Sequence, residues 1–142
     1  MAKQLNIFME NKPGRLKSVT EVLFEKSINI RAMTIQDRGD FGLMKLLVDN
    51  PKVACLALTD KGFACALKDA LAIVIDDKPG GLYKLSDIFL KHNINVVDAY
   101  GFVVESSKYA VWCVEAKGYS IIRDVIKKEG FKVLEDEELY EL

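Results

Sequence analysis

Residues 5–34 recur as residues 71–100 without a gap, at a constant offset of 66 that carries Pro13 onto Pro79. Asn11-Lys12-Pro13-Gly14 answers to Asp77-Lys78-Pro79-Gly80, and Ile28-Asn29-Ile30 answers to Ile94-Asn95-Val96. The apolar positions keep step: Leu16, Val19, Val22, Leu23 and Phe24 fall on Leu82, Leu85, Ile88, Phe89 and Leu90. Further on the offset grows to 68, pairing Phe41 with Tyr109, Met44 with Trp112 and Gly62-Phe63 with Gly130-Phe131. The chain is one unit of about 67 residues written twice, with two residues added in a turn of the second copy. A duplicated unit predicts pseudo-twofold symmetry and two related sites.

Within the first copy, Leu5–Glu10 reads as a strand that stops at the turn chemistry of Asn11-Lys12-Pro13-Gly14. Leu16, Val19 and Leu23, with Val22 and Phe24, recur at helical spacing and predict a helix to about Ser27. Strand Ile28–Gln36, a turn at Asp37–Asp40 and strand Phe41–Asp49 form a hairpin. Asn50-Pro51 opens a second helix, with asparagine at the cap and proline at the first helical position. Its predicted inner face is Val53, Leu56 and Ala57; Gly62 ends it, and Phe63–Leu67 is a fourth strand. The second copy repeats the order with strand Leu71–Asp76, helix Pro79–His92, strands Ile94–Val104 and Tyr109–Ala116, helix Tyr119–Lys128 and strand Phe131–Leu134.

This is the βαββαβ order of a ferredoxin-like unit, an antiparallel sheet with two helices on one face. The fold expected is α+β: two such units, 1–68 and 69–142, side by side. Only Lys68 and Asp69 separate the copies, too short a linker to swing. The second strand of each unit is an edge, and edges tend to be paired or covered. A ladder between Ile28–Gln36 and Ile94–Phe102 would give one eight-stranded antiparallel sheet with four helices on one face. Leu71-Ala72-Ile73-Val74-Ile75 is apolar on both faces, which predicts that the helix-free side is covered too, by a second chain in a homodimer.

Composition narrows the function. Twenty basic and 21 acidic side chains leave a formal charge of −1, which argues against affinity built on phosphate contacts and so against a nucleic-acid partner. No apolar run approaches the ~20 residues of a membrane span, and Met1–Gln4 runs into a strand pattern without a signal-peptide core, so a cytoplasmic protein is expected. Cys55, Cys65 and Cys113 are odd in number and far apart in sequence; they read as buried apolar residues in a reducing compartment, neither a disulfide framework nor a metal-ligand set.

In both copies a proline and a glycine stand between first strand and first helix. Glycine has no Cβ to block a ligand, and the N–H groups and positive dipole end of the helix suit a carboxylate. Asn11 and Asp77 precede these helices, placed to meet an ammonium group or to fix the loop. Asn29 and Asn95 lie 15 residues after their glycines, opening otherwise apolar edge strands.

Strand, Asn/Asp-Lys-Pro-Gly-x-Leu, helix, then Ile-Asn-Ile/Val resembles an ACT domain, and the whole chain resembles a stand-alone tandem ACT protein over about residues 3–135. The resemblance implies amino-acid binding where one unit's first loop faces the second strand of its partner. One site would join Asn11, Pro13, Gly14, Arg15 and Leu16 to Asn95 and Val96; its twin would join Asp77, Pro79, Gly80, Gly81 and Leu82 to Asn29 and Ile30. Copy one is similar to the His-x-Asn-x-Pro-Gly loop of serine-regulated phosphoglycerate dehydrogenases, with Met9 in place of the histidine. In copy two Ile75 stands there, and Asp77-x-Pro-Gly is similar to aspartokinase-type loops. The copies also differ where Arg15 meets Gly81, which predicts unequal affinities.

Other chemistries fit poorly. Arg38-Gly39-Asp40-Phe41-Gly42-Leu43 superficially resembles an RNA-binding RNP1 segment but lacks its alternating aromatics. His92, the only histidine, ends a helix with no nucleophile, carboxylate dyad or phosphate-cradling motif beside it. Arg15 beside Gly14 lacks the further donors of an anion-cradling catalytic loop, and the Glu135–Leu142 tail reads as a solvated acidic terminus. The expectation is a non-enzymatic amino-acid sensor with no catalytic residues, metal or cofactor, any regulated catalytic enzyme being a separate chain. The alternative is a regulatory subunit or assembly module working through protein contacts, its ligand pockets degenerate.

Overall fold

In a computed structural model describing residues 1–142, each copy folds as strand, helix, two strands, helix, strand. The first comprises β1 (Ala2–Glu10), α1 (Arg15–Glu25), β2 (Ile30–Arg38), β3 (Phe41–Val48), α2 (Pro51–Asp60) and the start of β4 (Ala64–Asp76). The second takes the rest of β4, then α3 (Gly81–Lys91), β5 (Val96–Glu105), β6 (Tyr109–Ala116), α4 (Tyr119–Lys128) and β7 (Val133–Leu134), with a short α5 (Asp136–Tyr140) after it. Two compact units result, Lys3–Lys68 and Asp69–Tyr140, with Met1–Ala2 grouped in the second.

There are seven strands and five helices, not eight and four. The fourth strand of copy one and the first of copy two run on as one strand of 13 residues, because Lys68-Asp69 is accommodated in extended backbone instead of turning. The edge ladder expected between Ile28–Gln36 and Ile94–Phe102 is absent from the chain: β2 pairs with β3 and β5 pairs with β6, each on one side only. Both therefore stay open edges.

In the first unit β3 lies between β2 and β1, with Ile35 and Ile7 both facing Met44 in register. Leu5, Ile7, Met44 and Leu46 point to the helix side and pack with Val19 and Leu23 of α1 and Ala54 and Leu58 of α2. The helical periodicity of α2 admits two inner faces. The fold selects Ala54, Ala57 and Leu58, leaving Val53 and Leu56 42% and 68% exposed, contrary to expectation. Small alanines there let the helix approach the sheet closely. Phe24 likewise points outward, 82% exposed.

In the second unit β6 lies between β4 and β5, and β7 pairs with the other side of β4 at Ala72 and Ile73. Leu71, Ile73, Ile75 and Val114 join Leu85, Phe89, Ile122 and Ile126 in its core. Strand alternation turns Ala72, Val111 and Cys113 to the opposite face, yet all three are buried in the single chain. A second chain is not needed to explain the apolar first strand of copy two.

Nor is the acidic tail simply solvated. Leu139 is fully buried, and Glu138 accepts from the Glu135 N–H at 3.1 Å, half of a capping box at the start of α5. The terminal ammonium of Met1 lies 3.0 Å from Glu135, Lys127 lies 3.1 Å from the same carboxylate, and Lys132 lies 2.9 Å from Glu138. No helix is long and apolar enough to cross a membrane.

Candidate functional site: two Pro-Gly corners

Each corner is built by one backbone device. Gly14 and Gly80 take left-handed φ values of 87° and 89°, turning the chain from strand into helix where a side chain would be strained. The Gly14 carbonyl accepts from the Ser18 N–H and the Gly80 carbonyl from the Lys84 N–H, both at 3.0 Å, starting α1 and α3. No side chain caps either helix. The N–H groups of Leu16, Lys17, Leu82 and Tyr83 therefore find no acceptor ahead of their helices. By contrast, α2 is closed by Asn50, whose Oδ1 accepts from the Val53 N–H at 3.3 Å. An added Cβ at Gly14 or Gly80 would meet nothing within 4 Å, so both corners present open space above free donors. Such a first turn is suited to a carboxylate.

Asn11 and Asp77 serve the hairpin of their own unit. The Asn11 amide donates to Asp37 Oδ1 at 2.9 Å and to the Gly39 carbonyl at 3.1 Å, while Asp77 Oδ2 accepts from the Ser107 N–H at 2.7 Å. Their backbone N–H groups donate to the carbonyls of Asp40 and Lys108 at 3.0 and 3.1 Å. Of the two roles the sequence left open, fixing the loop is the one made within each unit.

After the glycine the corners part. Arg15 reaches back to Glu10 at 3.4 Å, a carboxylate that Lys12 holds more closely at 2.8 Å. Lys12 first, then Arg15, keep Glu10 below its ordinary value. The Nε of Arg15 is buried without an acceptor. In copy two the same position is Gly81, where a Cβ would stand 2.1 Å from the Asp76 carbonyl oxygen, so only glycine allows α3 to lie that close to its strand. A hollow behind the corner reflects the exchange: about 310 Å³ where Arg15, Lys61 and Phe63 line it, about 570 Å³ where Gly81, Glu129 and Phe131 stand instead.

In front of the first corner, Asn11, Arg15 and Leu16 border a further cavity of about 170 Å³ with Met9, Ile35 and Met44. Asn29 and Ile30 are not near it: within the unit they follow the far end of α1, whose 11 residues span about 16 Å. Asn29 is exposed, its N–H donating to Asp49 Oδ1 at 3.1 Å. Asn95 and Val96 are equally remote from Pro79-Gly80; Asn95 lines a cavity of about 490 Å³ with His92, Lys117 and Gly118. The ring of His92 sits 2.7 Å from Glu129, which also takes Lys91 at 2.8 Å, a cluster joining the ends of α3 and α4.

A family model for the ACT domain pair matches residues 1–142. The chain belongs to the ACT domain pair family. A crystal structure of a protein from Bacteroides thetaiotaomicron is 33% identical, covering 99% of this chain and 96% of that one with a TM-score of 0.93. The ligand-free regulatory subunit of aspartate kinase from Thermus thermophilus shares the fold at 16% identity, with coverage of 90% and 92% and a TM-score of 0.65. The regulatory subunit of aspartate kinase from Thermus flavus does so at 16% identity, coverage of 88% and 90% and a TM-score of 0.57. No curated protein matches.

One feature of the ACT pair has no signal in the sequence, while the expected burial of Cys113 is found. The fold brings Cys55 and Cys65 together, and it places the buried Cys113 opposite Tyr100 on β5. Burial pushes the Cys113 thiol up to about 12, and it raises Tyr100 as well. Strand parity could have indicated that Cys113 faces away from the helices; nothing local could have paired Cys55 with Cys65.

Proposed function

We propose that this ACT pair is a non-catalytic, cytoplasmic amino-acid sensor working as a homodimer, and that any activity it regulates resides on another chain. The observation carrying this reading is the doubled corner: two left-handed glycines, each opening a helix whose first N–H groups are uncapped. The ligand's carboxylate takes these donors, at Leu16 and Lys17 beside Gly14 in one copy and at Leu82 and Tyr83 beside Gly80 in the other. Pro13 and Pro79 fix the approach, while Arg15 and Gly81 distinguish the two corners.

Since Asn29 and Asn95 lie a helix length away from the corner of their own unit, each amino group is met by the asparagine strand of another ACT unit. In the homodimer, Asn95-Val96 of one chain serves the Asn11 corner of the other, and Asn29-Ile30 serves the Asp77 corner in the same way. A ligand held this way favours one arrangement of units over another only by its difference in affinity for the two.

A thermal-shift screen of the twenty amino acids on purified protein tests the reading. At about 100 times its dissociation constant, the effector should add roughly 2.7 kcal/mol of stability. Replacing the polar partner, Asn29→Ala should weaken binding by roughly 1–3 kcal/mol in calorimetry; unchanged affinity removes Asn29 from the site. The alternative, an assembly module with degenerate pockets, draws on the exposed apolar residues Phe24 and Leu56 of α1 and α2. A flat screen with stable co-purification of a larger enzyme would select it.

A further inference from the structure

Away from the corners, the first unit brings two cysteines together. Cys55 lies within α2 and Cys65 near the start of β4, ten residues on. The Sγ of Cys55 donates to the Cys65 carbonyl oxygen at 3.7 Å, which brings the two residues side by side. Both cysteines are free, partly buried and packed on the core formed by Leu5, Val19 and Leu58, so the fold itself sets their proximity. In copy two, at the offset of 68, Arg123 and Val133 hold these positions, which confines the pair to the first unit.

We propose that Cys55 and Cys65 form a reversible modification site that closes to an intramolecular disulfide by exchange with a small-molecule disulfide. The Cys55 thiol loses its proton, and the sulfur attacks one sulfur of the reagent. The reagent's S–S bond breaks, a mixed disulfide forms on Cys55, and the departing thiolate takes up a proton. Cys65 then attacks the Cys55 sulfur, releasing the second half of the reagent as a thiol. Two protein thiols are oxidised and one reagent disulfide is reduced to two thiols.

Burial, ahead of the neighbouring thiol, pushes Cys65 up to about 12, so a thiolate there is scarce. The placement of Cys65 beside Cys55 offsets that scarcity by making the second step intramolecular. The bond would close over the turn Lys61–Ala64, which lines the hollow beside Glu10 and Arg15. Oxidation thus ties α2 to β4 around one wall of the first corner and leaves the second corner untouched.

The test is intact-mass measurement of the full-length protein after incubation with oxidised glutathione, followed by a non-reducing peptide map. The wild type should lose the mass of two hydrogens and yield a peptide linking Cys55 to Cys65, and dithiothreitol should restore both. Cys113→Ser should behave identically. Cys55→Ser and Cys65→Ser should gain glutathione or remain unchanged, without the two-hydrogen loss. A folded wild type that only gains glutathione, stays unmodified or links through Cys113 overturns the proposal, whether or not either variant folds.

Discussion

The Pro-Gly corners of the two units share a backbone and differ in what stands behind it. In both, a left-handed glycine leaves the first helical N–H groups open and a polar residue clasps the hairpin. In the first, Arg15 fills the space and is held by Glu10; in the second, Gly81 lets α3 close onto the Asp76 carbonyl, and the hollow behind is nearly twice as large. Arg15 against Gly81, with Lys61 against Glu129, changes size and charge while the donors stay in place. Duplication can therefore keep a recognition element constant while its surroundings diverge.

The sharpest way to break that comparison is Gly81→Ala. With its Cβ 2.1 Å from a backbone oxygen, the methyl must displace helix or strand, and a cost of roughly 2–3 kcal/mol is expected in urea unfolding. Gly14→Ala meets no atom within 4 Å and should cost only the strain of φ 87°, roughly 1–2 kcal/mol. Equal losses would mean that the close approach of α3 to its strand is not what requires glycine.

A smaller effect tests what the corners have in common. Asn11→Ala and Asp77→Ala each remove a hairpin clasp, and each should lower stability by about 1 kcal/mol. Should either variant lose amino-acid binding without losing stability, its side chain serves the ligand and not the hairpin.

The smallest effect is electrostatic and unequal between the units. Glu10 in the first is held below 4.5, chiefly by Lys12. In the second Glu129, Glu135 and Glu138 are held below 4.5, chiefly by Lys91, the terminal ammonium and Lys132 respectively. A carboxylate more acidic folded than unfolded adds stability above its unfolded value and loses it as pH falls through the folded one. Stability should thus decline below about pH 4.5, more in the second unit, and 1 M salt should flatten the decline because Glu10 and Glu138 are exposed and Glu129 and Glu135 partly so. Amide exchange resolved by unit reads the difference.

Much of this was legible because its causes are local. Pro13-Gly14 and Pro79-Gly80 each announce a strand-to-helix turn, and Asn50-Pro51 announces a capped helix; neighbours in the chain supply the physics. The periodicity of α2 was ambiguous, since Val53-Leu56 and Ala54-Leu58 both satisfy a helical stripe, and only the facing sheet could choose. Leu139 read as tail because its burial depends on residues that do not adjoin it.

By itself the sequence determined the duplicated βαββαβ order, the family and the positions of both corners, since repetition, turn chemistry and hydrophobic period are properties of short stretches. Tertiary structure decided that β4 runs unbroken through the join, that β2 and β5 remain open edges, that Asn11 and Asp77 face their own hairpins, and that Cys55 meets Cys65. These are outcomes of long-range packing, in which close-packed side chains and fully paired backbone groups select one arrangement among several that local preferences allow equally.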